Sequence, residues 1–310
     1  MPQFGRLNED NFTTMSPINA IIQKSWSVYQ MLNQMHCVIQ NVIPILWFGD
    51  LDAYCNSSIR IVTIGLNPSN FEFQDKPCES FNVNLRFPAA NAIIGKSKLS
   101  SKELIIYRFA MNNYFIINPY INWFKWHESA LRQLCATYGG KMSRLNFSNN
   151  NDSQVHFTNT AIHIDIETPI PTNPTWGNLC KDCQQKITNL SADIFKRLIN
   201  VLNPHVIIIA SNAHIANTHF GISSKGFDSN LSYNKHSSNY LYLPNTDSSH
   251  TVSYIRTYTT LPDYTLLWVK NYNGTPFGGM KLNDPNKNTT LIAINKHIQN
   301  KFFNTKPIIL

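Results

Sequence analysis

The 310-residue sequence predicts an α/β protein, a three-layer α/β/α sandwich around a central, mostly parallel sheet of four strands. Three observations carry this expectation. Short apolar runs such as Ile61–Ile64 and Val206–Ile209 read as strands buried on both faces. Amphipathic stretches of helical period separate those runs, the order that builds parallel crossovers. The length suits one large α/β domain, and a hydrophobic fraction of 43% supplies a core that needs no disulfide or metal.

Each element has its own signal. Ser16-Pro17 is an N-cap followed by a first-turn proline, and Ile22, Trp26, Tyr29 and Leu32 recur at helical spacing. This predicts one long helix over residues 16–46, with Pro44 as the place where it would break. Arg60–Gly65 is the first strand, ended by a glycine that permits a sharp turn. Residues 100–113 and 121–138 read as helices, and His156–Asp165 as the second strand. Residues 179–202 form an amphipathic helix that Asn203-Pro204 stops. His205–Ala210 is the third strand and Leu266–Lys270 the fourth. Residues 289–303 form a last helix. The polar, Ser- and Asn-rich stretch at about 211–265 reads as an insertion, a hairpin or a substrate-facing flap. The chain is thus expected to be a single domain over 1–310, with a helical extension over about 1–55.

Lys and Arg number 26 against 18 Asp and Glu, a net charge of +8, which favours a polyanionic partner. Charged residues are only 14% of the chain, so the surface is filled largely by uncharged polar groups. Six cysteines, at 37, 55, 78, 135, 180 and 183, do not form a compact disulfide framework. No apolar run approaches the ~20 residues that span a bilayer, and the first residues lack a signal core. The expectation is a monomeric protein of a reducing, bacterial-type cytoplasm, without membrane contact.

Functional loops of such sheets sit at the carboxyl ends of the strands. After the first strand comes Gly65-Leu66-Asn67-Pro68-Ser69. Alone it is a turn signal. At a strand end, however, a neutral amide beside a rigid proline can hold and orient a water molecule.

The run Ile61–Ser69 resembles the water-activating motif of the uracil-DNA glycosylase superfamily, in the branches that carry Gly-x-Asn-Pro. The resemblance implies that Asn67 positions the attacking water and that Ser69 lies near the base. Glu72-Phe73 and Leu85-Arg86-Phe87-Pro88 come next. In this superfamily a Phe of the segment stacks on the extruded base, here Phe87 or else Phe81, although either ring also reads as core. Arg86 would contact DNA. Phe157–Asp165 resembles the second active-site strand, so Asn159 would read the base edge, an amide offering one acceptor and two donors. His163 and Asp165 share one face beyond it and would touch the base, unless they are a satisfied strand-end pair. The Thr168–Trp176 loop would approach DNA.

After the last strand, Asn271 matches the first position of the His-Pro-Ser or Asn-Pro-Ser motif, whereas Tyr272 and Asn273 depart from it. Asn271 would stabilise the leaving base. Lys270, Asn273, Phe277 and Met280 would contact or wedge the duplex. Cys180-x-x-Cys183 raises the iron–sulfur cluster of some branches, but no second cysteine pair accompanies it. A zinc site with His163 is conceivable, though helix-borne Cys at this spacing is usually packing. Neither metal nor cofactor is expected.

The resemblance therefore implies a monofunctional glycosylase that flips a base and hydrolyses its N-glycosidic bond, leaving an abasic site. A bulky substrate, glucosylated hydroxymethylcytosine in phage DNA, would suit the long insertion and an antiviral role. A uracil or mismatch repair glycosylase is one alternative. A catalytically inactive nucleic-acid-binding module is another. A nucleotide-hydrolysing α/β protein is disfavoured because no Gly-rich phosphate loop is present.

Overall fold

The computed structural model describes residues 16–77, 79–132, 134–146 and 157–220, together with the backbone of four later strands at 222–223, 226–227, 252–257 and 265–270. Helix α1 (Pro17–Leu32) starts at Ser16, whose hydroxyl accepts from the Asn19 N–H. It ends fourteen residues before the predicted limit at residue 46. The cause is the burial of the next segment. Val38, Ile39, Val42, Ile43, Ile45, Leu46, Trp47 and Phe48 are all buried and only Gln40 and Asn41 between them are exposed, so the stretch has no continuous solvent face to offer as an amphipathic helix. Its backbone is satisfied from outside instead. Tyr29 Oη donates to Ile39 O and accepts from Val42 N, while Ile39 N and Ile45 N donate to Pro171 O and Pro169 O. Phe48 and His163 exchange a reciprocal pair of backbone hydrogen bonds.

Helix α2 (Leu51–Cys55) leads into strand β1 (Ile61–Gly65), buried at every position. Three short 3-10 turns fill residues 70–92 before helices α3 (Ser101–Asn112), α4 (Tyr114–Ile117) and α5 (Ile121–Arg132). A capping box built by Ser100 and Glu103 opens α3. Helix α5 is shorter than the predicted 121–138. The chain leaves it through Cys135, at φ 54°, to form a two-residue strand β2 (Ala136–Thr137).

Strand β3 (Asn159–Asp165) is next. The predicted helix over 179–202 is two helices, α6 (Lys181–Ser191) and α7 (Ile194–Leu202). Near the break, Ser191 Oγ donates back to Ile187 O, a local bond that competes with the helical ladder. Asn203 closes α7 in the left-handed conformation, its N–H on Ile199 O. Then come β4 (Val206–Ser211), α8 (Ala213–Phe220), a small antiparallel hairpin of β5 (Ile222–Ser223) and β6 (Gly226–Phe227), and finally β7 (Val252–Thr257) and β8 (Thr265–Lys270). The helix expected at 289–303 lies outside the described residues.

The main sheet has six strands in the order β2-β3-β1-β4-β8-β7. Its central four, β3-β1-β4-β8, are all parallel, as an α/β fold requires. The four-strand expectation is exceeded at both edges. Strand β2 pairs parallel with β3, and β7 pairs antiparallel with β8, so part of the expected insertion is a sheet strand. From β1 the chain steps to β3 on one side, then recrosses to β4 on the other. In sheets of this kind ligands bind beside such a reversal, here at the carboxyl ends of β1 and β4. Among the described residues, no helix is long and apolar enough to cross a membrane.

Candidate active site at the carboxyl edge of β1 and β3

Parallel pairing sets Thr63 beside His163 and Gly65 beside Asp165, joining two stretches 100 residues apart. His163 Nδ1 lies 2.7 Å from Thr63 Oγ1, which also bonds the Tyr138 hydroxyl. Phe48, Phe124 and His127 surround the imidazole, with ring centroids 5.5, 5.1 and 5.2 Å away. Burial in this apolar shell pushes the His163 pKa down to about 3, so the ring is neutral. Its Nε2 stands 3.8 Å from Asp165 Oδ1. Burial also raises the Asp165 carboxyl well above the usual carboxylate range. Gly65 makes the arrangement possible. A Cβ there would come within 2.8 Å of His163 Nε2 and closer still to Asp165 Oδ1.

A second carboxyl lies nearby. Ser69 accepts from Phe71 N and starts the turn that carries Glu72. Glu72 is buried, and desolvation raises its pKa to about 7. Arg86 opposes the shift with Nε 3.8 Å away, as does Tyr114, whose hydroxyl donates to Glu72 Oε2 at 2.6 Å, while Asp165 adds to it. A carboxyl poised near neutrality can accept or release a proton at working pH. In the sequence Glu72 stands out only as part of a spacing. The one clue to its role is a charge flanked by two rings, Phe71-Glu72-Phe73.

Asn67 is placed by the turn after β1 and faces the proline-rich loop. Its Nδ2 donates to Pro68 O at 2.9 Å and to Thr172 Oγ1 at 2.8 Å, and its Oδ1 accepts from Trp176 N at 3.2 Å. One amide hydrogen is thus spent on the adjacent Pro68 carbonyl, while the other and Oδ1 hold residues 172–176, a loop that contains the cis Asn173-Pro174 bond. Oδ1 accepts one hydrogen bond among the described residues. Ser69 forms a bridge with Thr172 in the same latch. Across the edge, His219 Nε2 on α8 lies 3.3 Å from Glu167 Oε1.

Several expected roles require correction. Phe87 is 0% exposed, its ring stacked on Tyr114 and packed against Phe48 and Phe73, so it presents no face to a base. Phe81 is half-buried. Arg86 is 3% exposed and donates to Phe71 O, Asn118 O and Asp75, which leaves it structural rather than DNA-facing. Asn159 opens β3 at the amino end, six residues before Asp165 and about 20 Å away along an extended strand. Its Oδ1 accepts from Ser58 Oγ and Ile59 N, so it pins the loop before β1 and does not converge with Asn67. The histidine beside Cys183 is His36, not His163. Lys270 ends β8, with only its backbone described, and Asn271, Asn273, Phe277 and Met280 lie outside the described residues.

Comparison with family models, with curated proteins and with solved structures finds no match to this chain.

Proposed function

We propose that this chain is a DNA glycosylase with a uracil-DNA glycosylase-like, three-layer fold, acting at the carboxyl edge of β1 and β3. One observation carries the reading. The two stretches that resemble the superfamily's motifs, Ile61–Ser69 and Phe157–Asp165, are neighbouring parallel strands with Gly65 paired to Asp165. The net charge of +8 supports a DNA partner.

The roles are redistributed along that edge. Asn67 orients the attacking water through its remaining Oδ1 lone pair, in an amide already fixed by three hydrogen bonds and so preorganised. Asp165, whose burial favours the protonated carboxyl, donates a hydrogen bond to the departing base, whose negative charge grows as the C1′–N bond breaks. The neutral His163 beneath it supports the carboxyl. Phe71, half-buried and stacked on Tyr120 at 5.4 Å, replaces Phe87 as the aromatic platform near Asn67. The substrate we favour is glucosylated hydroxymethylcytosine in phage DNA.

A second reading, nucleic-acid binding without cleavage, is favoured by the two amide hydrogens of Asn67 being spent inside the protein. Duplexes carrying uracil, mismatched thymine, hypoxanthine, hydroxymethylcytosine or its glucosylated form separate the two. Alkali-sensitive abasic sites should appear with the glucosylated base. They should disappear in Asn67→Ala and Asp165→Asn while DNA affinity persists. Release of uracil alone would move the substrate to repair. Tight binding without release of any base would favour the second reading, and neither binding nor release would refute both.

A further inference from the structure

We propose that His36, Cys37 and Cys183, with Cys180 completing the shell, hold a tetrahedral zinc ion that ties the segment after α1 to the start of α6. The His36, Cys37 and Cys183 ligand atoms all lie within 4.8 Å of one another. Zinc binds thiolate at ~2.3 Å and imidazole at ~2.0–2.1 Å, so tetrahedral ligand edges measure about 3.5–3.8 Å. The His36 Nε2 to Cys183 Sγ separation is 3.8 Å, already one such edge. The remaining contraction is small, and His36 is an exposed side chain free to supply it.

Cys180 is the N-cap of α6, and its sulfur accepts the Cys183 N–H at 3.3 Å. It is solvent-exposed and its sulfur bonds the Cys183 N–H, so we assign it the fourth position, reached by a side-chain rotation. A pair spaced Cys-x-x-Cys, met by ligands from a distant segment, is a common zinc arrangement, and soft sulfur with imidazole favours zinc over hard cations. Cys55 and Cys135 belong to no such group of metal ligands among the described residues.

The position gives the ion a task. Cys37 O accepts from Asn173 N at 3.0 Å, Val38 bridges Thr172, and Thr172 Oγ1 holds Asn67. The ion would brace the outer side of the loop whose inner side fixes Asn67. This inference does not depend on the glycosylase reading, because its test measures metal.

The full chain, purified without chelator from zinc-supplemented culture, should carry about one zinc per chain by mass spectrometry of the metal. Cys180→Ser, at an exposed position, should lower zinc content or retention in a chelator challenge by roughly tenfold. Cys55→Ser, equally exposed, should change neither. Cobalt(II) added to the zinc-stripped chain should give a sulfur-to-cobalt charge-transfer band and the intense visible bands of a tetrahedral site. Iron in place of zinc, a Cys180–Cys183 or Cys37–Cys183 disulfide in the freshly purified chain, or six-coordinate cobalt spectra would each overturn the proposal. So would equal zinc retention by Cys180→Ser and Cys55→Ser.

Discussion

Gly65→Ala tests the packing of the carboxyl edge most directly. The added Cβ would press hardest on Asp165 Oδ1 and would lie 2.8 Å from His163 Nε2 and 3.3 Å from His163 Cε1. Non-bonded heavy atoms are at ease near 3.5–4.0 Å, so the first two contacts are short by about an ångström. Neither neighbour can retreat easily. His163 is tied to Thr63 and wedged among rings, and Asp165 sits on the strand paired to Gly65. Overpacking of this kind costs about 1–3 kcal/mol, and two anchored clashes place Gly65→Ala near 3. The opposing gain, fewer unfolded conformations for alanine, is about 0.4–1 kcal/mol and loses. With a urea slope near 3 kcal/mol/M, the unfolding midpoint should fall by roughly 0.7–1 M at unchanged slope. Repeating the substitution in an Asp165→Ala background should recover about 1–2 kcal/mol as coupling. A midpoint shift under about 0.2 M, or an equal cost in both backgrounds, would refute the argument.

Glu72 makes stability pH-dependent with a definite sign. Its folded pKa of about 7 lies above the ordinary value of 4.5, so its contribution is complete below pH 4.5 and lost as pH rises to 7. The gap corresponds to about 3 kcal/mol, and the stability difference between wild type and Glu72→Gln should shrink by that order across the window. A constant difference from pH 4.5 to 7.5 would show that Glu72 titrates normally. His163, depressed to about 3, contributes with the opposite slope, its share being lost as pH falls from 6.5 towards 3, so only the difference curve isolates Glu72. Phe87→Ala should cost about 3–5 kcal/mol in thermal or urea unfolding, as a fully buried ring does. A stable variant that has lost only DNA affinity would return Phe87 to the stacking role.

The four parallel strands were legible because β-branched apolar runs bounded by turn residues have few other fates in a chain of this length. The edge strands were not. Ala136-Thr137 is too short to show a period, and Val252–Thr257 sits within polar sequence. The segment after Leu32 misled because buried irregular chain and buried helix share the same apolar composition. Only the distant partners at 163–171 distinguish them. Of the candidate site, the strand-end position of Gly65–Ser69 and of Asp165 was readable. The placement of Asn159 was misread, because the strand was expected to begin at His156, whereas Asn159 opens β3 away from the carboxyl edge. Exposure was not readable. Phe87 reads equally as a stacking ring or as core, and Arg86 as an accessible loop residue, until the rings of Phe48, Phe73 and Tyr114 and the carbonyls of Phe71 and Asn118 close around them.

The position of β1 between β3 and β4 also shapes the birth of the protein. Arg60 N donates to His205 Nδ1 across a separation of 145 residues, and the strand's other neighbour arrives about 100 residues after it. A ribosome adds about 5–20 residues per second, so β1 waits roughly 5–20 s for β3 and 7–30 s for β4. Throughout that interval a mostly apolar strand has a bare edge, open to pairing with another nascent chain. Soluble yield should therefore respond to chaperone supply and to slowed initiation during synthesis more than to the stability of the finished molecule.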